Sequence, residues 1–395
     1  MMKKTLIAMA ALAATSAFAQ SSVSIVGFID SGYKNTRNDT QALKRSEISL
    51  NGTGTTAIHF RGVEDLGGGM KALFQAEIDW NPTQSSTLNG APGAQFYAGT
   101  PFNGEQFLGL SGGFGSVKLG SPNGAGLETN AVAQPFGTAL GGGFSSTVSR
   151  LGVTGLYGIN QYVGGPNANN RIIRHEKTVR YDTPDLSGFG ASVEYSFANA
   201  NAPVTAGNTG NATNNNKYQA IGLKYSNGPL NVRFSNTKAT ADNVNFAAGS
   251  IAAGGLTVVN ATNLAPVGSV TSNYLAANYT FGAATVYGGY TTTRTSTSSV
   301  VGAAGENANS YNIAGKYAVS SQVALMANYV VIKDKRAAGF AIDHNRKILG
   351  LGADYRLSAR TALYARFEGY DNGAASTATT GPKQSVYMIG VNHSF

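Results

Sequence analysis

The chain has 395 residues, with no Cys and one Trp but 51 Gly, 19 Tyr and 18 Phe; charged residues are 12%, the formal charge is +9 and mean hydropathy is −0.11. These figures exclude a helical membrane protein, which needs apolar runs of about 20 residues, a disordered chain, which would be poor in aromatics, and a disulfide-stapled domain. What they leave is a chain of many short strands, such as a transmembrane barrel requires because its backbone groups pair only when the sheet closes.

In chain order, Lys3 and Lys4 precede an apolar run over residues 6–14, and Ala17-Phe18-Ala19 supplies a small-x-small cleavage site. This pattern predicts a Sec export signal over residues 1–19, cut between Ala19 and Gln20, with the barrel over 20–395. Loss of Lys3 and Lys4 lowers the formal charge from +9 to +7.

Strands of about 10 residues with period-2 alternation then follow, the first near residues 23–32. Ile58 and Phe60 oppose Ala57, His59 and Arg61, and residues 46–61 read as one strand or parts of two. After a turn at Leu66-Gly67-Gly68-Gly69, Ala72, Phe74, Ala76, Ile78 and Trp80 share one face, and Lys71, Gln75, Glu77 and Asp79 the other. Val117 and Leu119 flank Lys118 beyond Gly112-Gly113-Phe114-Gly115.

An irregular Gly-rich stretch runs over residues 121–171, too long for an ordinary connection in a compact domain. Alternation resumes at Val179 and Tyr181, and continues through Ala191 to Phe197, Ile221 to Phe234, Val323 to Val331, Leu349 to Tyr355 and Leu363 to Phe367. The last strand places Tyr387, Ile389, Val391, His393 and Phe395 on one face. The count is about 16 strands, joined alternately by tight turns and long polar loops. The fold class is all-β, an antiparallel transmembrane β-barrel with an apolar outside and charges within.

Several segments, in this order and spacing, resemble the general porins of β-proteobacteria over essentially the whole mature chain. They are Arg61-Gly62-Val63-Glu64-Asp65-Leu66-Gly67, Leu110-Ser111-Gly112-Gly113-Phe114-Gly115, Thr183-Pro184 with Gly188-Phe189, Tyr225-Ser226-Asn227-Gly228-Pro229-Leu230, Arg360-Thr361-Ala362-Leu363-Tyr364-Ala365 and the close His393-Ser394-Phe395. The resemblance implies a 16-stranded homotrimer in the Gram-negative outer membrane, with long extracellular loops, whose third loop folds inward and narrows a channel for ions and small hydrophilic solutes. Residues 121–171 would be that loop. It also implies that the barrel-assembly machinery reads Tyr387, Ile389, Val391 and Phe395.

Selectivity in such a channel is electrostatic, because low-dielectric walls focus the field of a few charges. Alternation nominates Arg61, Lys71, Glu77, Asp79, Lys118, Arg180, Glu194, Arg233, Arg366 and Glu368 as inward. The loop adds Glu128, with Arg150 and Arg171 as bases, and Arg174, Lys177 and Arg180 follow it. Arg61, Glu77 and Arg174 align with charges of the resembled family, but Thr56-Ala57 stands where a Ser-Arg pair is expected and Glu105 where a base is expected. A mild anion preference is therefore expected rather than a strong one.

A solute-specific channel would show an aromatic track; Phe107, Tyr364 and Tyr370 do not make one. An adhesin or structural barrel would need a plugged lumen. The basic residues are dispersed and the chain is exported, which speaks against nucleic acid; bases on outer rims suit lipopolysaccharide phosphates instead. His59, His175, His344 and His393 have no partner motif for hydrolysis, and with no Cys no metal or other cofactor is expected.

Overall fold

The computed structural model describes residues 21–39, 44–83, 102–143, 174–197, 217–240, 269–295, 307–335, 345–371 and 383–395. The expected export signal, with Ala19 and Gln20, lies outside the described residues, as do Arg150, Arg171 and His344.

The strands are β1 (Ser22–Asn38), β2 (Lys44–Ser49), β3 (Ala57–Gly67), β4 (Met70–Asp79), β5 (Gln106–Gly112) and β6 (Gly115–Ser121). A helix α1 (Ala125–Val132) precedes β7 (Thr178–Asp182), β8 (Phe189–Ser196), β9 (Lys217–Asn227), β10 (Leu230–Thr240), β11 (Ser269–Phe281) and β12 (Ala284–Thr295). The series ends with β13 (Asn307–Ala318), β14 (Val323–Lys335), β15 (Arg346–Arg356), β16 (Thr361–Asp371) and β17 (Lys383–Ser394).

From β3 onward each strand pairs antiparallel with the next, and β17 returns to β1 over Phe28↔Ser394 through Asn38↔Gln384. The seam is finished by Gly27 and Phe395, whose backbones exchange two hydrogen bonds at 2.9 and 3.0 Å. The terminal aromatic residue thus zips the cylinder shut, and no edge is left unpaired.

The 17 segments make a 16-stranded barrel, because β2 and β3 share one place beside β1. Residues Gly32 to Arg37 of β1 pair with β2, and Ser22 to Phe28 pair with β3. Between them residues 50–56 leave the ladder, held by Asp30. Its Oδ2 accepts from the Thr53 backbone N–H and hydroxyl, each at 2.6 Å, and its Oδ1 accepts from the Tyr364 hydroxyl.

Alternation sorts the side chains. On β9, Ile221 and Leu223 are exposed outside while Tyr218 and Ala220 are buried within; on β13, Ile313 points out and Ala314 in. Outward aromatics at the tight-turn end include Phe189, Tyr279, Phe281, Tyr317 and Tyr355, the girdle expected at a membrane interface.

Strand length divides the cylinder. β11 and β14 have 13 residues each, whereas β5, β6, β7 and β8 have 7, 7, 5 and 8. At about 3.3 Å per residue and a tilt near 45°, a 13-residue strand rises about 30 Å and a 7-residue strand about 16 Å, against an apolar band about 25 Å tall.

Candidate functional site

Beyond β6 the chain turns into the barrel. α1 has no side-chain cap at Gly124 and shows little amphipathicity, so its sequence does not make it a helix alone. Its surroundings do. Glu128 receives Arg180 at 2.9 Å and Arg233 at 3.1 Å, and the Ala125 N–H donates to Glu194 at 2.8 Å.

The loop then follows the inner wall from strand to strand. Asn278 of β11 donates to the Val132 carbonyl at 3.1 Å, Asn312 of β13 to that of Ala133 at 2.7 Å, and Asn328 of β14 to that of Gly142 at 2.8 Å. On β16, a single oxygen of Glu368 accepts the N–H groups of Gly141 and Gly142 at 2.7 and 2.6 Å. Side-chain amides and a carboxylate thus satisfy loop backbone that would otherwise be costly to bury.

Small residues admit this approach. A Cβ on Gly350 would stand 1.7 Å from the Gly141 carbonyl oxygen, and one on Gly289 would stand 2.7 Å from Ala133 Cβ. Beneath the loop lies an apolar inner patch of Tyr274, Val330, Ile332, Ile348, Tyr370 and Val386, against which Leu127 and Leu140 pack. Sequence reasoning missed both the glycine seats and this patch. Their signals were glycines inside strands and the run Tyr329-Val330-Val331-Ile332, in which polar alternation lapses.

The opposite wall is charged. Arg61 donates to Gln75 at 2.9 Å, and Gln75 donates to Glu105 at 2.7 Å. The second Glu105 oxygen accepts the Asn123 N–H at 2.9 Å, and the Glu105 N–H donates to Glu77 at 2.7 Å. Arg174 donates to the Asn123 side chain at 3.1 Å and the Asn103 carbonyl at 3.2 Å, and lies 3.9 Å from Asp79. Glu105, the residue standing where a base was expected, is therefore the hub that ties the start of the loop to β4.

A second cluster surrounds Arg180, which is buried and meets Asp182 at 2.7 Å, Glu128 at 2.9 Å and Glu194 at 3.1 Å. Lys118 completes it, 3.4 Å from Asp182. Arg366 lies apart on β16, paired with Asp354 at 2.7 Å. The candidates thus fall into three groups: Arg61, Glu77, Asp79 and Arg174; Lys118, Glu128, Arg180, Glu194 and Arg233; and Arg366 with Glu368. Lys71 stands alone near the β3–β4 turn, opposite Asp65.

Exposure differs by sign. Among the described residues, the inward acids are buried or half-buried; Glu77, Glu194 and Glu368 are 6%, 3% and 0% exposed. Arg61, Lys71, Lys224 and Lys316 are the inward residues of β3, β4, β9 and β13 that remain exposed and charged.

One titratable group sits on the returning limb of the loop. His175 is buried and stacked on Tyr218 with ring centroids 3.7 Å apart, and burial holds its pKa down to about 3, so the ring is neutral.

A sequence model of Gram-negative porins matches residues 5–375. Outer membrane porin protein 32 of Delftia acidovorans is 28% identical over 410 residues, covering all of both chains. The anion-selective porin from Comamonas acidovorans superposes with a TM-score of 0.72 at 24% identity, over 95% of this chain and all of that one. The trimer form of OmpT, an outer membrane protein of Vibrio cholerae, superposes at 0.63 and 14% identity, over 95% and 99%. A closed barrel, a loop seated inside it and a family match over almost the whole length agree, and the chain belongs to the Gram-negative porins.

Proposed function

We propose that this outer-membrane porin is a passive, mildly anion-preferring channel for ions and small hydrophilic solutes, narrowed by the loop over 121–171 and lined by the groups around Arg61, Arg180 and Arg366. The observation that carries the preference is the asymmetry of exposure. Inward acids are withdrawn into hydrogen bonds, while Arg61, Lys71, Lys224 and Lys316 stay open to the lumen. A mobile anion meets those bases; a mobile cation meets acids already compensated by Arg174, Arg180 or loop N–H groups. The anion-selective relative from Comamonas acidovorans supports the same sign.

The wall β5–β8 is too short to face lipid alone, which supports a homotrimer in which this wall is shielded by neighbours; the trimer form of the Vibrio cholerae relative supports this assembly. Residues 1–19 would serve as export signal, with cleavage between Ala19 and Gln20. Tyr387, Ile389, Val391 and Phe395 would be read by the barrel-assembly machinery. Transport of this kind needs neither catalysis nor a cofactor.

Single-channel recording in a tenfold KCl gradient tests the reading. The expected result is closure in three equal steps with a reversal potential of anionic sign. A well-folded protein without conductance, or a clear cationic reversal potential, contradicts it.

A further inference from the structure

Residues 50–56 leave the ladder for a reason that barrel closure does not supply. Between the pairs Gly32↔Ser49 and Phe28↔Ala57, three residues of β1 face seven of the neighbouring segment. The surplus is even, so the inward and outward faces of β2 continue unchanged into β3. A regular ladder here would need neither the extra residues nor the fully buried carboxylate of Asp30, which is costly to desolvate.

The excursion points into the lumen. Asp30, Tyr364 and Asn392, which hold it, occupy inward positions of β1, β16 and β17, because their neighbours Leu363 and Val391 are exposed outside. Asn392 donates to the Thr53 hydroxyl at 3.0 Å. The Asp30 N–H donates to the Thr56 hydroxyl at 3.0 Å, and that hydroxyl donates to the Asp30 carbonyl at 3.2 Å. Within the excursion the Thr56 N–H donates to the Asn51 side chain at 3.2 Å. Glycines make the fit possible: a Cβ on Gly52 would stand 2.4 Å from the Tyr364 ring, and one on Gly54 3.0 Å from that of Phe28. The segment is thus fastened to three strands, and Leu50 to Thr56 carry no charge.

The excursion also meets the inner loop, where the hydroxyls of Thr55 and Thr138 lie 3.2 Å apart. The loop is stiffened beside that contact by Gln134, which accepts the Phe136 N–H and donates to the Gly137 carbonyl at 2.8 Å. The loop therefore touches this side of the barrel at two places, one to either side of β3 and β4. One is the Asn123 N–H on Glu105 and the other is Thr138 on Thr55. Arg61, Gln75 and Glu77 lie on the arc of wall between them.

We propose that residues 50–56 are a second pore-narrowing element, clasped to the loop through Thr55 and Thr138. This uncharged edge limits the size of the solutes admitted, while Arg61 on the adjoining arc acts on their charge. The role presupposes the channel reading and assigns the size limit to a segment other than the loop.

Deletion of residues 52–55 places three residues opposite three and keeps the alternation. In proteoliposomes the swelling rate with a trisaccharide, relative to that with a monosaccharide, should rise severalfold, and the reversal potential in a KCl gradient should keep its sign. A folded deletion variant with the wild-type ratio of rates would overturn the proposal. Should the deletion fail to refold, Thr55→Cys/Thr138→Cys keeps the excursion whole, and in a chain without Cys its two thiols are the only ones. Oxidation of the folded double variant should join them within one chain and leave the ratio of rates at the wild-type value. Thiols that stay free under oxidation, or a raised ratio in the joined protein, would overturn the proposal. Failure of the wild type to conduct would sink the channel reading, and the disulfide would still decide whether the clasp exists.

Discussion

Strands β13–β17 carry Val330, Ile332, Ile348 and Val386 on their inner face, whereas β3–β8 carry Glu77, Arg180, Asp182 and Glu194 on theirs. Both walls are apolar outside, so the membrane cannot be the cause of the difference. The inner loop is. Where it covers the wall, water is excluded and apolar packing with Leu127 and Leu140 is favourable. Where the wall is left facing the lumen, charges are held in networks and the exposed ones carry the positive sign. One wall seats the device that sets the size of the opening, and the other sets its electrostatics.

If that division holds, the two walls respond to different substitutions in different observables. The largest expected effect is at Gly350. Gly350→Val places a branched side chain where the Gly141 carbonyl now sits, and overpacking of that kind costs roughly 1–3 kcal/mol. The loop should leave its seat, and single-channel conductance should rise while the sign of the reversal potential stays the same. Next, Glu368→Ala removes the acceptor of two loop N–H groups, a loss of about 1–3 kcal/mol for groups left buried without a partner. Its expected signature is excess open-channel noise, read in the same recordings.

The charged wall should respond in selectivity alone. Arg61→Glu inverts an exposed inward charge without touching the loop's seat, so the reversal potential should move towards cations at nearly constant conductance.

A smaller effect is expected from His175. Its folded pKa of about 3 lies below the usual value near 6.5, so the unfolded limb takes up the proton more readily. The stabilisation from burying the neutral ring is complete above about pH 6.5 and is lost as pH falls towards 3. Loop fluctuations should therefore increase between pH 7 and pH 4 in the wild type. The increase should be smaller in His175→Phe, which keeps the stack on Tyr218.

The division between walls also explains what the sequence disclosed. The barrel was legible because lipid imposes a strict period of two, and the outward Ile221, Leu223, Ile313 and Leu325 obey it. Inward orientation was legible for the same reason at Arg61, Glu77, Arg180 and Glu368. Which charges meet was not, since Arg180 draws acids from its own strand, the next one and the loop. The ambiguity over residues 46–61 had a structural cause: one place in the barrel is filled by two segments, β2 and β3, around the excursion pinned by Asp30. The helix α1 was illegible because eight residues with no cap and little amphipathicity owe their form to Glu128, Glu194 and the wall they touch. The inner apolar patch broke the alternation rule because a loop, and not water, faces it.

The most direct test of the division of labour is the reversal potential of Arg61→Glu in a tenfold KCl gradient, recorded with its single-channel conductance. A shift towards cations with conductance close to wild type is the predicted result. An unchanged reversal potential, or a shift that appears only together with a large change in conductance, would contradict the separation of size and charge between the two walls.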